Sequence, residues 1–261
     1  MSIKVSVVIP TYNRFDYLLN AVSSIKDQNF NDFEILIIND GSTDENYYEN
    51  KLSETNIKQI DLEENQKIKN GFASDAIRNM GIENARGKYI AFLDDDDEWI
   101  DKSKIFKQVE IFRKSKDLSL AVVCTGIVRI TDFGNECVEV AKPPRQLKQA
   151  FLSGGVIHNS TALVRGDIAR KVNGFSVYVK RGIDSEFFRR LVIKGNYNVH
   201  FMLEITCKYY ENSTVRLTKS SKIYHLISHI WNLFSYFKFY ILYPKCLITR
   251  VIRIIKVIVQ E

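Results

Sequence analysis

Four short apolar runs stand out in the first hundred residues, at 5–10, 33–39, 57–62 and 89–93. Stretches with helical spacing separate them, at 14–26, 44–52 and 74–85. Strands alternating with helices predict βαβ units and a parallel sheet. The first, second and fourth runs are almost unbroken apolar stretches, as expected of strands covered on both faces. In such a sheet, ligands sit beyond the carboxyl ends of the strands. The segments 11–14, 40–44 and 94–97 each follow a strand directly, so they are expected around one crevice.

The pattern is less regular further on. Residues 120–130 read as a strand, Asp132-Phe133-Gly134-Asn135 as a turn and 137–140 as a returning strand. Another strand is expected at 161–164. A helix is expected at 184–194, with Asp184 as its N-cap and Gly195 as its stop. From 223 to 237 the chain is uncharged and aromatic-rich, but shorter than the ~20 residues that span a bilayer. After Pro244, helical spacing puts Arg250, Arg253 and Lys256 on one narrow stripe with Ile, Val and Leu around the rest. That pattern suits a helix lying in a membrane interface, or a helix packed on the domain with its charges in water.

Composition is that of an ordinary globular chain: 261 residues, 45% hydrophobic and 26% charged. The net charge of +6 changes the picture only through its location. Residues 219–261 hold seven basic residues and one acid, so residues 1–218 are neutral, with 30 of each sign. A basic face for nucleic acid is therefore not expected on the main domain. The cysteines at 124, 137, 207 and 246 have no metal-finger spacing, and a reducing compartment is the simplest reading. The N-terminus lacks the pattern of a signal peptide.

The candidate chemistry centres on Asp94, Asp95, Asp96 and Asp97. Four consecutive carboxylates after a buried strand repel one another. A divalent cation relieves this, and carboxylate oxygens suit Mn2+ or Mg2+, commonly completed by the phosphates of a substrate. The alternative is a solvated acidic turn.

Four pieces in order resemble the family 2 inverting glycosyltransferases, which have the GT-A fold. They are Pro10-Thr11-Tyr12-Asn13-Arg14, Asn39-Asp40-Gly41-Ser42-Thr43-Asp44, Ile77-Arg78-Asn79-Met80-Gly81-Ile82, and the stretch from Gly87 to Trp99. The resemblance implies a GT-A-like single α/β domain with a mostly parallel Rossmann-like sheet, to which the residue pattern adds a basic amphipathic C-terminal tail. Residues 1–100 would bind the donor, 101–218 the acceptor, and 219–261 would associate with membrane.

Roles follow from the same resemblance. Thr11, Tyr12, Asn13 and Arg14 belong to the donor-binding turn. Asp40 would bond the base, usually uracil, and Arg78 would lie near the nucleotide or its diphosphate. Asp94 and Asp95 would bind donor, with Asp95 near the ribose. Asp96 would be the direct metal ligand, with Asp97 beside it. Asp184 matches the family's general base and Glu186 is its fallback, although Ile183 replaces the usual glutamate. Ser160 is expected on the acceptor side. Asn70-Gly71 lies farther from Arg78 than the family's usual glycine, and Ile77 replaces an alanine. No Q-x-x-R-W segment occurs, against a processive synthase.

The implied enzyme moves a sugar from a nucleotide-sugar, usually a UDP-sugar, to a saccharide or lipid-linked saccharide in surface-polysaccharide assembly. It would work in the cytoplasm, peripheral at the inner face of the cell membrane. Two rival readings are a nucleotidyltransferase making a sugar nucleotide, and a non-catalytic membrane-surface module with a degenerate donor site. The first needs a glycine in the turn after the first strand, and 11–15 has none. Intact Asp40, Asp94, Asp96 and Asp184 argue against the second.

Overall fold

The computed structural model describes residues 3–52, 54–66, 74–131, 133–179, 181–211 and 222–259. Asn70-Gly71, Asp132 and the start of the basic tail at Lys219 lie outside the described residues.

The four apolar runs form β1 (Val5–Thr11), β2 (Phe33–Asn39), β3 (Ile57–Asp61) and β4 (Tyr89–Phe92). They pair in parallel in the order β3-β2-β1-β4. Side chains alternate between faces along a strand, and here both faces are covered. Val8, Leu36, Ile38, Ile90 and Phe92 enter one cluster of buried residues; Val7, Ile9, Ile35, Ile37 and Leu93 enter another. This is why the first, second and fourth runs lack a polar beat, while β3, at the edge and only partly buried, keeps Lys58, Gln59 and Asp61.

Helix α1 (Phe15–Lys26) covers the second cluster with Leu18, Val22 and Ile25. Helix α3 (Ser74–Asn84), which follows the short α2 (Asn46–Glu49), covers the first with Ile77 and Ile82. A Cβ on Gly81 would fall 2.2 Å from a Val8 methyl, so glycine lets α3 lie directly on β1.

The second half extends the same sheet. After β5 (Asp97–Trp99) and α4 (Lys104–Lys114) come β6 (Leu120–Ile130), β7 (Glu136–Glu139), α5 (Leu147–Ser153), β8 (Leu163–Arg165) and α6 (Gly166–Lys171). Helix α7 (Ile183–Arg189) and β9 (Asn198–Tyr210) follow. The full order is β3-β2-β1-β4-β8-β6-β9-β5, with β7 on β6. The first βα units run away from β1 on one side and β4 lies on the other. The strand-end crevice of an α/β sheet therefore opens at β1 and β4.

Two local expectations are corrected. Residues 159–161 form a turn of 3-10 helix, and the strand begins only at Leu163. Helix α7 begins at Ile183, is capped by Gly182 at φ 68° rather than by Asp184, and passes into a π-helical turn (Arg190–Lys194) before Gly195. The left-handed cap is a conformation that glycine adopts without steric cost. It frees the Asp184 side chain from capping.

The C-terminal stretch forms α8 (Lys222–Ser235), α9 (Phe237–Leu242) and α10 (Pro244–Val259). Tyr236, Tyr240 and Cys246 enter the first buried cluster. Arg250, on the basic stripe, is only 4% exposed. Its guanidinium donates to Tyr240 Oη, to the Leu152 carbonyl and to His229 Nδ1, each at 3.0 Å. Burial and the neighbouring Arg250 and Arg253 push His229 down to about 4, so a neutral ring can accept. The opposite side of these helices is apolar and exposed, including Ile223, Phe234, Phe237, Ile241, Ile252 and Ile258. No described helix is long and apolar enough to cross a membrane.

Candidate active site

Three strand ends meet at the crevice. After β1 the chain turns through Asn13 at φ 50°. The Asn13 side-chain oxygen Oδ1 accepts from the Thr43 and Asp44 amides, and its own backbone N–H donates to Ser42 Oγ. The Asn13 side chain is thus spent on clasping the β1 turn to the β2 turn. Tyr12, next to it, is half-buried.

After β2, Asp40 is buried against residues 64–66. Asn65 Nδ2 and the Gln66 amide each donate to its carboxylate at 2.9 Å. A Cβ on Gly41 would lie 2.5 Å from the backbone of Glu64, so the close approach and the positive φ both require glycine. Burial pushes Asp40 up to about 6, against the pull of the Gln66 amide.

After β4 comes the acidic turn, closed by the Asp97 amide donating to the Asp94 carbonyl. Its carboxylates face alternate ways. Asp95 is buried and accepts from Thr11 Oγ1 at 2.8 Å and from Arg14 at 3.1 Å. Asp97 is buried beneath the turn and accepts from Ser160 Oγ. The Asp94 and Asp96 side chains stay open to the crevice, 30% and 27% exposed. Asp94 pairs with Arg78 at 2.6 Å and Asp96 with Arg14 at 2.8 Å.

Burial and the charge of Asp96 lift Asp95 to about 7, although Arg14 opposes them. Burial and Asp94 raise Asp96 likewise, and burial raises Asp97 well above the ordinary carboxylate range. These are the marks of carboxylates short of positive charge.

Asp184 enters from α7. Burial raises its pKa, Arg78 opposes, and Asp94 adds to the rise. For Arg78, burial works against the charge, but Asp94 and Asp184 outweigh it and hold the guanidinium more firmly protonated. Asp184 thus shares Arg78 with the acidic turn, although about ninety residues separate them in sequence. Its Oδ1 is buried and has no hydrogen-bond partner. Glu186 is fully buried and turned away, accepting from Tyr236 Oη at 3.0 Å and Arg190 at 3.1 Å. Ser160 Oγ accepts weakly from the Asp94 amide at 3.3 Å.

Among the described residues, no three acidic, histidine or cysteine side chains converge as a complete metal cage. What the turn offers is the open pair Asp94 and Asp96 with raised carboxylates beneath. That fits a hard cation held by one or two carboxylates and completed by phosphate oxygens.

Residues with no sequence signal complete the site. Tyr47, fully buried, bonds Thr11 Oγ1 at 2.6 Å and accepts from the Arg14 amide at 2.9 Å. Asn65 holds Asp40. Neither has a periodic or motif signature, since each acts through the packing of a loop or short helix onto β1 and β2.

Comparison with known proteins bears on this arrangement. The model of glycosyl transferase family 2 matches residues 6–171. A putative teichuronic acid biosynthesis glycosyltransferase of Bacillus subtilis, TuaG, is 40% identical over 111 residues, 41% of this chain and 40% of its own. The GalNAc(5)-diNAcBac-PP-undecaprenol beta-1,3-glucosyltransferase of Campylobacter jejuni is 37% identical over 95 residues, 36% of this chain and 30% of its own. The chain spans less than two thirds of the length of both relatives. Among solved structures, S. aureus TarS 1-349 in complex with UDP has a TM-score of 0.60 at 20% identity, covering 88% of this chain and 65% of that one. The likeness is one of fold, the mixed α/β GT-A architecture. Because the family match takes in more than half of the chain, including β1, the Asp40 turn and the acidic turn, the chain belongs to glycosyl transferase family 2.

Proposed function

We propose that the protein is an inverting glycosyltransferase that takes a sugar from a nucleotide-sugar, a UDP-sugar by preference, and transfers it to a saccharide or lipid-linked saccharide. The observation that carries this reading is Arg78, which pairs with Asp94 at 2.6 Å while carrying the charge influence of Asp184. It ties a phosphate-and-cation site to a candidate base in one crevice.

In this reading Asp40 accepts an N–H of the base, and Thr11 and Tyr12 line the nucleotide pocket. Arg78 and Arg14 face the diphosphate, for which a guanidinium fork is well suited. Asp96, with Asp94 beside it, would hold Mn2+ or Mg2+, which when bound neutralises charge on the departing diphosphate. Asp184 accepts the proton of the acceptor hydroxyl as that oxygen bonds to the anomeric carbon. The bond from that carbon to the diphosphate oxygen breaks on the opposite face, so the configuration inverts.

The UDP bound to TarS and the polysaccharide and undecaprenol-linked chemistry in the relatives' names support the donor and acceptor classes. The apolar outer face of α8–α10 carries exposed Lys222, Lys238, Lys245 and Lys256. It suits peripheral attachment to the anionic inner face of the cell membrane, where a lipid-linked acceptor resides.

The test is a donor screen with the full chain, followed by Asp184→Asn. The variant should keep donor affinity within a few-fold and lose transfer, and NMR of the product should show the inverted anomer. Retained configuration, or undiminished transfer by Asp184→Asn, would overturn the mechanism.

A further inference from the structure

One loop, residues 155–161, packs beside the acidic turn. At its start, a Cβ on Gly155 would lie 2.8 Å from Ser185 Oγ, so the loop begins against the residue that follows Asp184. Further on, His158 Nε2 is 3.4 Å from Glu139, and its ring lies 5.3 Å from that of Tyr209. At its end, Ser160 bonds both the Asp94 amide and the Asp97 carboxylate. The loop therefore runs from the base-bearing helix to the acidic turn.

Between those anchors stands Asn159, 5% exposed, with neither side-chain atom hydrogen-bonded. Its backbone carbonyl accepts from the Ala162 amide to close the 3-10 turn. The side chain contributes nothing to holding the loop. Buried amides are nearly always paired, and one with both ends unpaired requires an explanation. Asp184 Oδ1, on the residue before the Ser185 that meets Gly155, is likewise buried and without a partner. Together they are a donor and two acceptors that the fold leaves unspent. A sugar hydroxyl both donates and accepts, so adjacent hydroxyls of a pyranose match an amide and a carboxylate oxygen.

We propose that Asn159 is an acceptor-binding residue, holding a hydroxyl of the acceptor pyranose adjacent to the one that Asp184 deprotonates. This rests on the glycosyltransferase reading and deepens it. Asn159 orients the acceptor ring and so helps select which hydroxyl reaches the base. His158 and Tyr209 form the outer wall, where an aromatic face meets a sugar ring.

The test is ligand-observed NMR on the full chain with UDP and Mn2+ present, using methyl glycosides of glucose, galactose and N-acetylglucosamine as probes. The native protein should bind at least one glycoside. Asn159→Ala should weaken it about tenfold, the loss of one or two hydrogen bonds. UDP affinity should not change, and Tm should not fall, because no internal hydrogen bond is removed. The matching deoxyglycoside should bind native and variant proteins equally.

Equal glycoside binding by native protein and variant overturns the assignment. So does UDP binding by the native protein with no response from any glycoside. A parallel loss of UDP binding in the variant moves Asn159 to the donor side and overturns it also. If the native protein binds no nucleotide at all, the glycosyltransferase reading itself fails, and that outcome is distinct from the others.

Discussion

The phenol of Tyr236, in the turn between α8 and α9, donates to the fully buried Glu186 carboxylate at 3.0 Å. Burial and Glu186 push the phenol's pKa up, so it stays a donor. Glu186 lies two residues from Asp184, and its other oxygen takes Arg190, which in turn donates to the carbonyls of Val172 and Gly174. Next to them, Asn79 of α3 bonds both the amide and the carbonyl of Phe175. The Phe175 ring stacks on Phe187 of α7 at 4.5 Å and lies beneath Arg78. The C-terminal helices, the helix that carries Asp184 and the helix that carries Arg78 are thus one packed unit.

Tyr236→Phe should therefore act at a distance. Leaving a buried carboxylate oxygen unpaired costs about 1–3 kcal/mol, read as a lower Tm by differential scanning calorimetry. Turnover should fall while donor affinity stays near native, since α7 and not the donor turns loses its support. A variant with normal Tm and normal turnover would show that the bond does not position the helix. For the same reason, removal of residues 222–261 should expose Glu186 and the buried tyrosines, giving an unfolded or aggregating product rather than a soluble donor-binding core.

Asp96→Asn separates function from stability. Burial and the charge of Asp94 already raise the carboxyl of Asp96, so removing its charge relieves crowding and Tm should hold or rise. Transfer should drop at least about a hundredfold if a cation's charge stabilisation is lost, and chelation with EDTA should do the same to the native enzyme. Full transfer in EDTA would sink the metal-dependent mechanism and leave the fold untouched.

Asp40 sets a pH limit. Its folded value of about 6 lies above the ordinary 3.8. Between those values the folded protein holds a proton that the unfolded chain has lost, so the stability contributed by Asp40 declines as pH rises through that window. Donor binding runs the opposite way, because only the ionised carboxylate accepts freely from the base. UDP affinity measured by calorimetry should weaken as pH falls through 6. In Asp40→Asn that dependence should shrink to what Asp95, itself raised to about 7, contributes, with weaker binding throughout.

The exposed face of the last helix predicts membrane behaviour. Ile252 and Ile255 are exposed, so Ile252→Glu with Ile255→Glu should leave Tm unchanged. Flotation with vesicles rich in anionic lipid should be strong for the native protein and lost in the double variant. The attraction of each exposed lysine, about 1 kcal/mol near such a surface, makes native binding weaken with salt. Equal flotation by both proteins would rule this face out as the attachment surface.

The alternation of apolar runs and helical spacing determined the parallel sheet, because a strand covered on both faces has no polar positions to spare. The turns directly after those strands determined the crevice, since strand-end chemistry is local: Asp40 and the acidic turn were readable in place, while Arg78, on a helix, was readable only through the family resemblance. Tertiary structure decided the rest. Which of four adjacent aspartates face the crevice follows from the turn geometry and from Thr11, Arg14 and Ser160 arriving from elsewhere. Asp184 is released from capping by a left-handed Gly182, a backbone state that the apolar pattern does not encode. Spacing found the basic stripe of the last helix but not its direction. Arg250 turns inward because Tyr240, His229 and the Leu152 carbonyl pair with it, and partners distant in sequence are visible only once the chain has folded.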